Sequence, residues 1–268
     1  MTRKSLIIFL LINISSPIYS QTDWGRVITG VVKAGQAYML SDEDLAEMVK
    51  KEVVEMDRQN IVCGESSKYT KRLRNLTKGM KDANGIKLNF KVYQTTDLNA
   101  FACPDGSVRV FSALMDALND DELLGVIGHE IGHVALRHAK SAWKDALLRS
   151  AASDMIGSQS ETWAAVSDSF LGDVASVALS AKHSRYHETQ ADDYGYDFLK
   201  KSGKNPWAMG LAFKKLKSLS QQGNRSKYAK LLEAFSSHPD FDERIGRMRD
   251  KAKKDGYNCN HYCPVKVD

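Results

Sequence analysis

The chain predicts an α+β fold, predominantly helical, with a small antiparallel sheet just ahead of one buried helix. Three observations lead there. Apolar residues recur at helical spacing through residues 24 to about 60 and through most of the chain after Lys140. Between these stretches, Ile86, Leu88, Phe90 and Val92 alternate with other residues, and Val108 to Phe111 forms a second extended run. Turn signals then separate the segments, with Asn84-Gly85 before the first strand and Pro104-Asp105-Gly106 before the second. Strands gathered in one stretch, with helices on either side, suit α+β packing.

The first twenty residues have the pattern of a secretory signal: Arg3 and Lys4, an apolar run from Leu6 to Ile14, then a small, polar exit ending at Ser20, where cleavage is expected. That run is well short of the roughly 20 residues a membrane-spanning helix needs, so no transmembrane span is expected in the mature chain. Peripheral membrane association stays open. The first cysteine is Cys63, far past the signal, so a lipid-attachment cysteine is not expected and the mature protein is placed in the periplasm. Loss of Arg3 and Lys4 takes the formal charge from +5 to +3. With the lysines scattered and no aromatic residues interleaved, this mild basicity does not predict nucleic-acid binding.

Residues 21–60 are expected to form a helical arm, with Ser41 as the N-cap of a helix carrying Leu45, Met48, Val49, Val53 and Met56. A second helix is expected over Tyr69 to Lys81, ending at Asn84-Gly85. Asn99-Ala100-Phe101-Ala102 and Val108 to Phe111 then form a hairpin. Residues 61–255 are expected to be the main domain and 256–268 a cysteine-containing tail. The stretch Trp163 to Ala181 is apolar but interrupted by Asp168 and Asp173, which argues against a membrane span. Asn205-Pro206 marks a capped helix start. Four cysteines in an exported chain suggest disulfides, with Cys63–Cys103 and Cys259–Cys263 as the expected pairs; a zinc knuckle from Cys259, His261 and Cys263 is the competing assignment.

Function is carried by His129-Glu130-Ile131-Gly132-His133. On a helix, residues i and i+4 share a face, so both imidazoles can reach one metal while Glu130 faces a water at that metal. Zinc acidifies such a water, and Glu130 can take its proton as a peptide carbonyl is attacked. Asn119 and Glu122 form a capping box that starts this helix, and Leu123, Leu124, Val126, Ile127, Ile131, Val134 and Leu136 predict that it is buried. Gly125, Gly128 and Gly132 form a bare stripe that costs about 1 kcal/mol per residue relative to Ala, a cost that close approach of another backbone would justify.

A catalytic zinc site needs a third protein ligand. A metzincin histidine is excluded, since Ala139 occupies its place; His138 falls one residue too early and suits a supporting or surface role better than ligation. Glu188 is the best candidate, because Asp192 lies one turn further on the same face and could hydrogen-bond a ligating imidazole. Asp173, His183, His187 and Asp192 are the alternatives.

Asn99-Ala100-Phe101-Ala102 with the turn and strand that follow, His129 to His133, Arg185 to Asp192, and Ser237-His238-Pro239 followed by Arg244 together resemble the gluzincin metallopeptidases, which include HtpX-like and CAAX prenyl proteases. The resemblance spans about residues 66 to 250. It implies a zincin-like metallopeptidase domain holding one Zn2+ through His129, His133 and Glu188, with Glu130 as general base. It further implies that His238 faces the cleft, either donating to the oxyanion or occupying the open zinc position, and that Arg185 and Arg244 give structural support. Asn99, Ala100 and Phe101 would bind substrate along an edge strand. The function expected is cleavage of unfolded or misassembled envelope proteins. The alternative is a chaperone-like assembly factor that holds extended segments in the same cleft and rarely cuts.

Overall fold

The computed structural model describes residues 39, 41–145, 148, 184–222 and 240–260. Ser41 starts helix α1 (Asp42–Gln59): its hydroxyl accepts from the Asp44 N–H at 3.0 Å while the Asp44 carboxylate accepts from the Ser41 N–H at 3.2 Å. Helix α2 (Lys68–Leu76) is shorter than its pattern predicts, because Thr77 and the left-handed Gly79 end it before Lys81. Asn84 and Gly85 both take positive φ, as a tight two-residue turn requires, and reverse the chain between β1 (Asp82–Ala83) and β2 (Ile86–Lys87).

The strand expected over residues 86–92 is split. Leu88 donates to Lys81 O at 3.0 Å, within the first hairpin, whereas Asn89 donates to Gly106 O at 2.9 Å and starts β3 (Asn89–Tyr93) in a second sheet. There β4 (Ala100–Ala102) and β5 (Ser107–Phe111) form the expected antiparallel hairpin, but β3 pairs with β5 in parallel, giving the order β3-β5-β4. The sheet is therefore mixed rather than wholly antiparallel. Alternation specifies which face of a strand is buried; it carries nothing about which neighbour the strand joins or in which direction.

Both faces of β5 are covered. Val92, Ala100, Val108 and Val110 pack with Leu123, Ile127 and Ile131 of helix α4 (Asp120–Ala135), which follows the short helix α3 (Ser112–Ala117). On the opposite face Lys91, Tyr93 and Arg109 converge on Asp57 of α1, and Phe101 packs on Leu45, Val49, Val53, Cys103 and Trp143. The outer edge of β3 is closed by residues 61–63, through Cys63 N to Val92 O and Gln94 N to Ile61 O, both at 2.8 Å.

That edge position rules out the expected Cys63–Cys103 bridge, and both cysteines are free thiols. Cys63 lies outside β3, while Cys103 closes the β4–β5 turn through its N–H to Ser107 O, so β3 and β5 stand between them. Three strand spacings of about 4.8 Å far exceed the roughly 7 Å Cα separation a disulfide can span. Cys263 and the other residues of the proposed tail pair or knuckle beyond Asn260 lie outside the described residues, as do the signal segment and the stretch Trp163 to Ala181.

Helix α5 (Arg185–Lys201) crosses α4, and helices α6 (Trp207–Gln222) and α7 (Phe241–Lys254) complete the body. The α6 start follows Asn205-Pro206 as its sequence predicts, with Asn205 Oδ1 accepting from the Trp207 N–H at 3.0 Å. Among the described residues no helix is long and apolar enough to cross a membrane.

Candidate metal centre

The glycine stripe of α4 brings two helices together at the site. A Cβ on Gly128 would lie 3.2 Å from Gly195 Cα, and one on Gly132 would lie 3.2 Å from Ala191 Cα; a Cβ on Gly195 would meet His129 N at 3.0 Å. The backbones of α4 and α5 thus touch where larger residues would hold them apart. Ser184 caps α5 by accepting from the His187 N–H at 3.1 Å, which starts the helix in the register that turns Glu188 and Asp192 toward α4.

One ligand atom from each of His129, His133 and Glu188 lies within 4.8 Å of the others, and all three residues are buried. His129 Nε2 is 3.0 Å from His133 Nε2 and 3.6 Å from Glu188 Oε2; His133 Nε2 is 3.4 Å from Glu188 Oε1. A tetrahedral zinc with bonds of 2.0–2.1 Å has ligand–ligand edges of about 3.3 Å, so the three donors fit one such face. Three carboxylates, Glu130, Glu188 and Asp192, are buried in this region; Arg244 pairs with Glu188 and Asp192, and Arg247 Nη2 lies 3.5 Å from Asp192 Oδ2.

Each histidine has a support behind it. His129 Nδ1 donates to Asp192 Oδ1 at 3.0 Å, fixing the tautomer that leaves Nε2 as a lone pair. Burial raises the Asp192 pKa, but the Arg244 charge and the His129 hydrogen bond outweigh it and leave Asp192 lowered to about 2. Arg244 donates to Asp192 from Nη2 at 2.6 Å and from Nε at 2.9 Å, and its Nη1 lies 2.8 Å from Glu188 Oε2. Its guanidinium rests over the Phe213 ring, 4.3 Å from the centroid. Behind His133 stands His138, buried, with Nδ1 2.9 Å from His133 Nδ1. Burial, then the neighbouring His187, lower the His138 pKa to about 4.

Of the residues singled out in the sequence, His129, Glu130, His133, Glu188 and Asp192 therefore lie together. His187 is stacked on His138 instead, with ring centroids 4.4 Å apart. Arg185 is exposed and pairs with Asp240 at 2.6 Å. Ala100 and Phe101 lie in β4, the end strand of its sheet, and Asn99 directly precedes it; β4 packs against α4. His238, with Ser237 and Pro239, and the alternative ligands Asp173 and His183 lie outside the described residues. Sequence reasoning gave Arg244 only a supporting part and did not place it on the ligand Glu188. A signal was present: on α7, Phe241, Ile245, Met248 and Ala252 form a packing stripe, and Arg244 lies within it and is buried with it.

A mostly helical α+β body, with an HExxH helix facing a helix that bears a buried glutamate, defines a zinc metalloendopeptidase of the zincin type. The chain belongs to Peptidase family M48, whose family model matches residues 67–252. It is 41% identical over 230 residues to Metalloprotease YcaL of Escherichia coli (strain K12), covering 85% of this chain and 88% of that one. To Metalloprotease LoiP of the same strain it is 35% identical over 235 residues, with 87% and 90% covered. Similarity to that strain's Beta-barrel assembly-enhancing protease, 29% identical over 182 residues, covers 64% of this chain and 36% of the longer relative.

Proposed function

We propose that this metalloendopeptidase is exported and hydrolyses unfolded or misassembled envelope proteins. The observation that carries the metal assignment is the buried cluster of His129, His133 and Glu188, whose donor atoms and spacing suit Zn2+. Zinc, when bound, supplies the Lewis acid that acidifies a water and polarises a peptide carbonyl. Glu130 is the general base: it follows His129 on α4, is buried in the same site, and holds the proton that must later pass to the leaving amine. Asp192 and Arg244 keep His129 and Glu188 oriented.

The position of β4 supports the substrate class. With the β3 edge closed by residues 61–63, β4 is the end of the sheet that could add an extended peptide beside α4. Pairing of this kind uses backbone groups, so it suits unfolded segments of many sequences. The sequence signal at residues 1–20, the two relatives named as metalloproteases and the one named a β-barrel assembly-enhancing protease support an envelope setting. His238, by its resemblance, is proposed as a second catalytic group at the cleft.

Incubation of the purified mature chain with casein tests this function. Cleavage that stops with a zinc chelator and returns with added Zn2+ is expected. Tight binding of casein without cleavage in the zinc-loaded protein would replace the protease assignment by the holding factor.

A further inference from the structure

We propose that His138 is a positioning residue for His133, a neutral imidazole acceptor that fixes the His133 tautomer and aims its Nε2 at the metal. This rests on the metal assignment above and adds a residue to it. His133 presents Nε2 to His129 and Glu188, at 3.0 and 3.4 Å, and Nδ1 to His138 Nδ1 at 2.9 Å. Two ring nitrogens at that distance need one proton between them. A ligating Nε2 is a lone pair, and a neutral imidazole then carries its single proton on the other nitrogen. His133 Nδ1–H is therefore the donor and His138 Nδ1 the acceptor.

That assignment fixes the next steps outward. The His138 proton must sit on Nε2, where Gln190 Oε1 accepts at 3.2 Å. The Gln190 amide is turned that way by its own Nε2, which donates to Tyr186 Oη at 3.2 Å. Two tautomers and one amide orientation thus agree along a line from metal ligand to exposed tyrosine. Independent features hold His138 in place. Helix α4 ends at Ala135 with Leu136 as its cap, and Arg137 takes a left-handed φ of 59°, reversing the chain so that residue 138 folds back over residue 133. Arg137 Nε holds that reversal by donating to Asp42 at 2.8 Å, and Asn84 Nδ2 donates to Ala135 O at 3.1 Å. Stacking on His187, 16° from parallel, keeps the ring from turning.

The two ligating histidines are therefore supported by different chemistry, a carboxylate behind His129 and a neutral ring behind His133.

Zinc affinity of the full chain, measured by chelator competition, tests the inference. His138→Phe keeps a ring that can stack on His187 but leaves the His133 Nδ1–H without its acceptor, and affinity should fall by about 10- to 100-fold. His138→Asn, whose side-chain oxygen can take the place of Nδ1, should stay within roughly threefold of wild type. In 15N NMR of the zinc-loaded wild type, His133 should carry its proton on Nδ1. Wild-type affinity in His138→Phe, or a His133 proton on Nε2, overturns the inference. If His138→Phe does not fold, His138→Asn is compared with His138→Ala: about tenfold weaker binding in Ala alone supports the inference, and equal affinities overturn it. A wild-type chain that binds no zinc overturns the metal assignment and this inference together, whereas full wild-type binding matched by His138→Phe overturns only the inference.

Discussion

Two arginines are buried among the described residues, and their surroundings differ in one respect. Arg109, at the centre of the sheet, meets a single carboxylate: Asp57 accepts from its Nε at 2.8 Å and Nη2 at 3.0 Å, from Lys91 Nζ at 2.7 Å and from Tyr93 Oη at 2.7 Å. Arg244, between α5 and α7, meets both Glu188 and Asp192, with Glu130 buried in the same cluster. The first group ties α1 to the sheet. The second braces groups that face the ligating histidines: Glu188, 3.6 Å from His129 Nε2 and 3.4 Å from His133 Nε2, and Asp192, which takes the His129 Nδ1 hydrogen bond. Burial of charge alone does not separate a strap from an active site; the convergence of His129, His133 and Glu188 donor atoms on one point does.

The largest expected effect breaks the metal side of this contrast. Glu188→Ala should lose zinc binding and proteolysis together, while Glu130→Gln should keep zinc and lower casein cleavage by about 10²- to 10⁴-fold, since the amide cannot accept a proton. Metal content and turnover measured on both variants separate ligand from base. Stoichiometric zinc at unchanged affinity in Glu188→Ala would remove Glu188 from the ligand set.

Removing the arginines themselves sharpens the comparison. Arg244→Met leaves Glu188 and Asp192 without their buried cation, at a cost of about 3–5 kcal/mol in metal-free protein, and bound zinc should restore part of it. Arg109→Met should lose a comparable amount, equally with and without zinc. Urea unfolding with and without chelator reads both. Gly128→Ala should cost less, about 1–3 kcal/mol, because its Cβ meets Phe198 and Gly195; the separation of α4 from α5 should appear also as weaker zinc binding.

How far these groups were legible in the sequence follows the span of chain each one uses. The α4 helix, its Asn119–Glu122 capping box and the pair His129 and His133 are local, so residue spacing alone gave them. Glu188 and Asp192 were legible for the same reason, as neighbours one turn apart. Arg244 reaches its carboxylates across more than 50 residues, and Arg109 reaches Asp57 over a similar span. Both break an otherwise apolar pattern, Arg244 on the α7 stripe and Arg109 between Val108 and Val110, and a charged residue in such a place was the available sign. The parallel pairing of β3 with β5 left no sign of that kind, because both strand senses bury the same alternating residues. His138 was recognised as a supporting candidate, but its partner became visible only with the chain reversal at Arg137.

The smallest expected effect concerns Asp57 and acid. Burial raises its pKa, yet hydrogen bonds from Arg109, Lys91 and Tyr93 prevail and lower it to about 2, against an unfolded value of about 3.9. A carboxyl group lowered on folding stabilises the protein above its unfolded pKa, and that contribution is lost as pH falls through the folded one. The strap should therefore hold fully above about pH 4 and weaken between about pH 4 and 2, by roughly 1 kcal/mol after allowance for screening at its open side. Asp57→Asn should be less stable than wild type near neutrality and should lose less stability across that acid window. Chelator-treated protein is the proper sample, since zinc release in acid would otherwise add its own pH dependence. A stability difference between the two proteins that stays constant from pH 5 to 2 would show that Asp57 titrates alike in folded and unfolded chains, and the strap would then hold by packing rather than by charge.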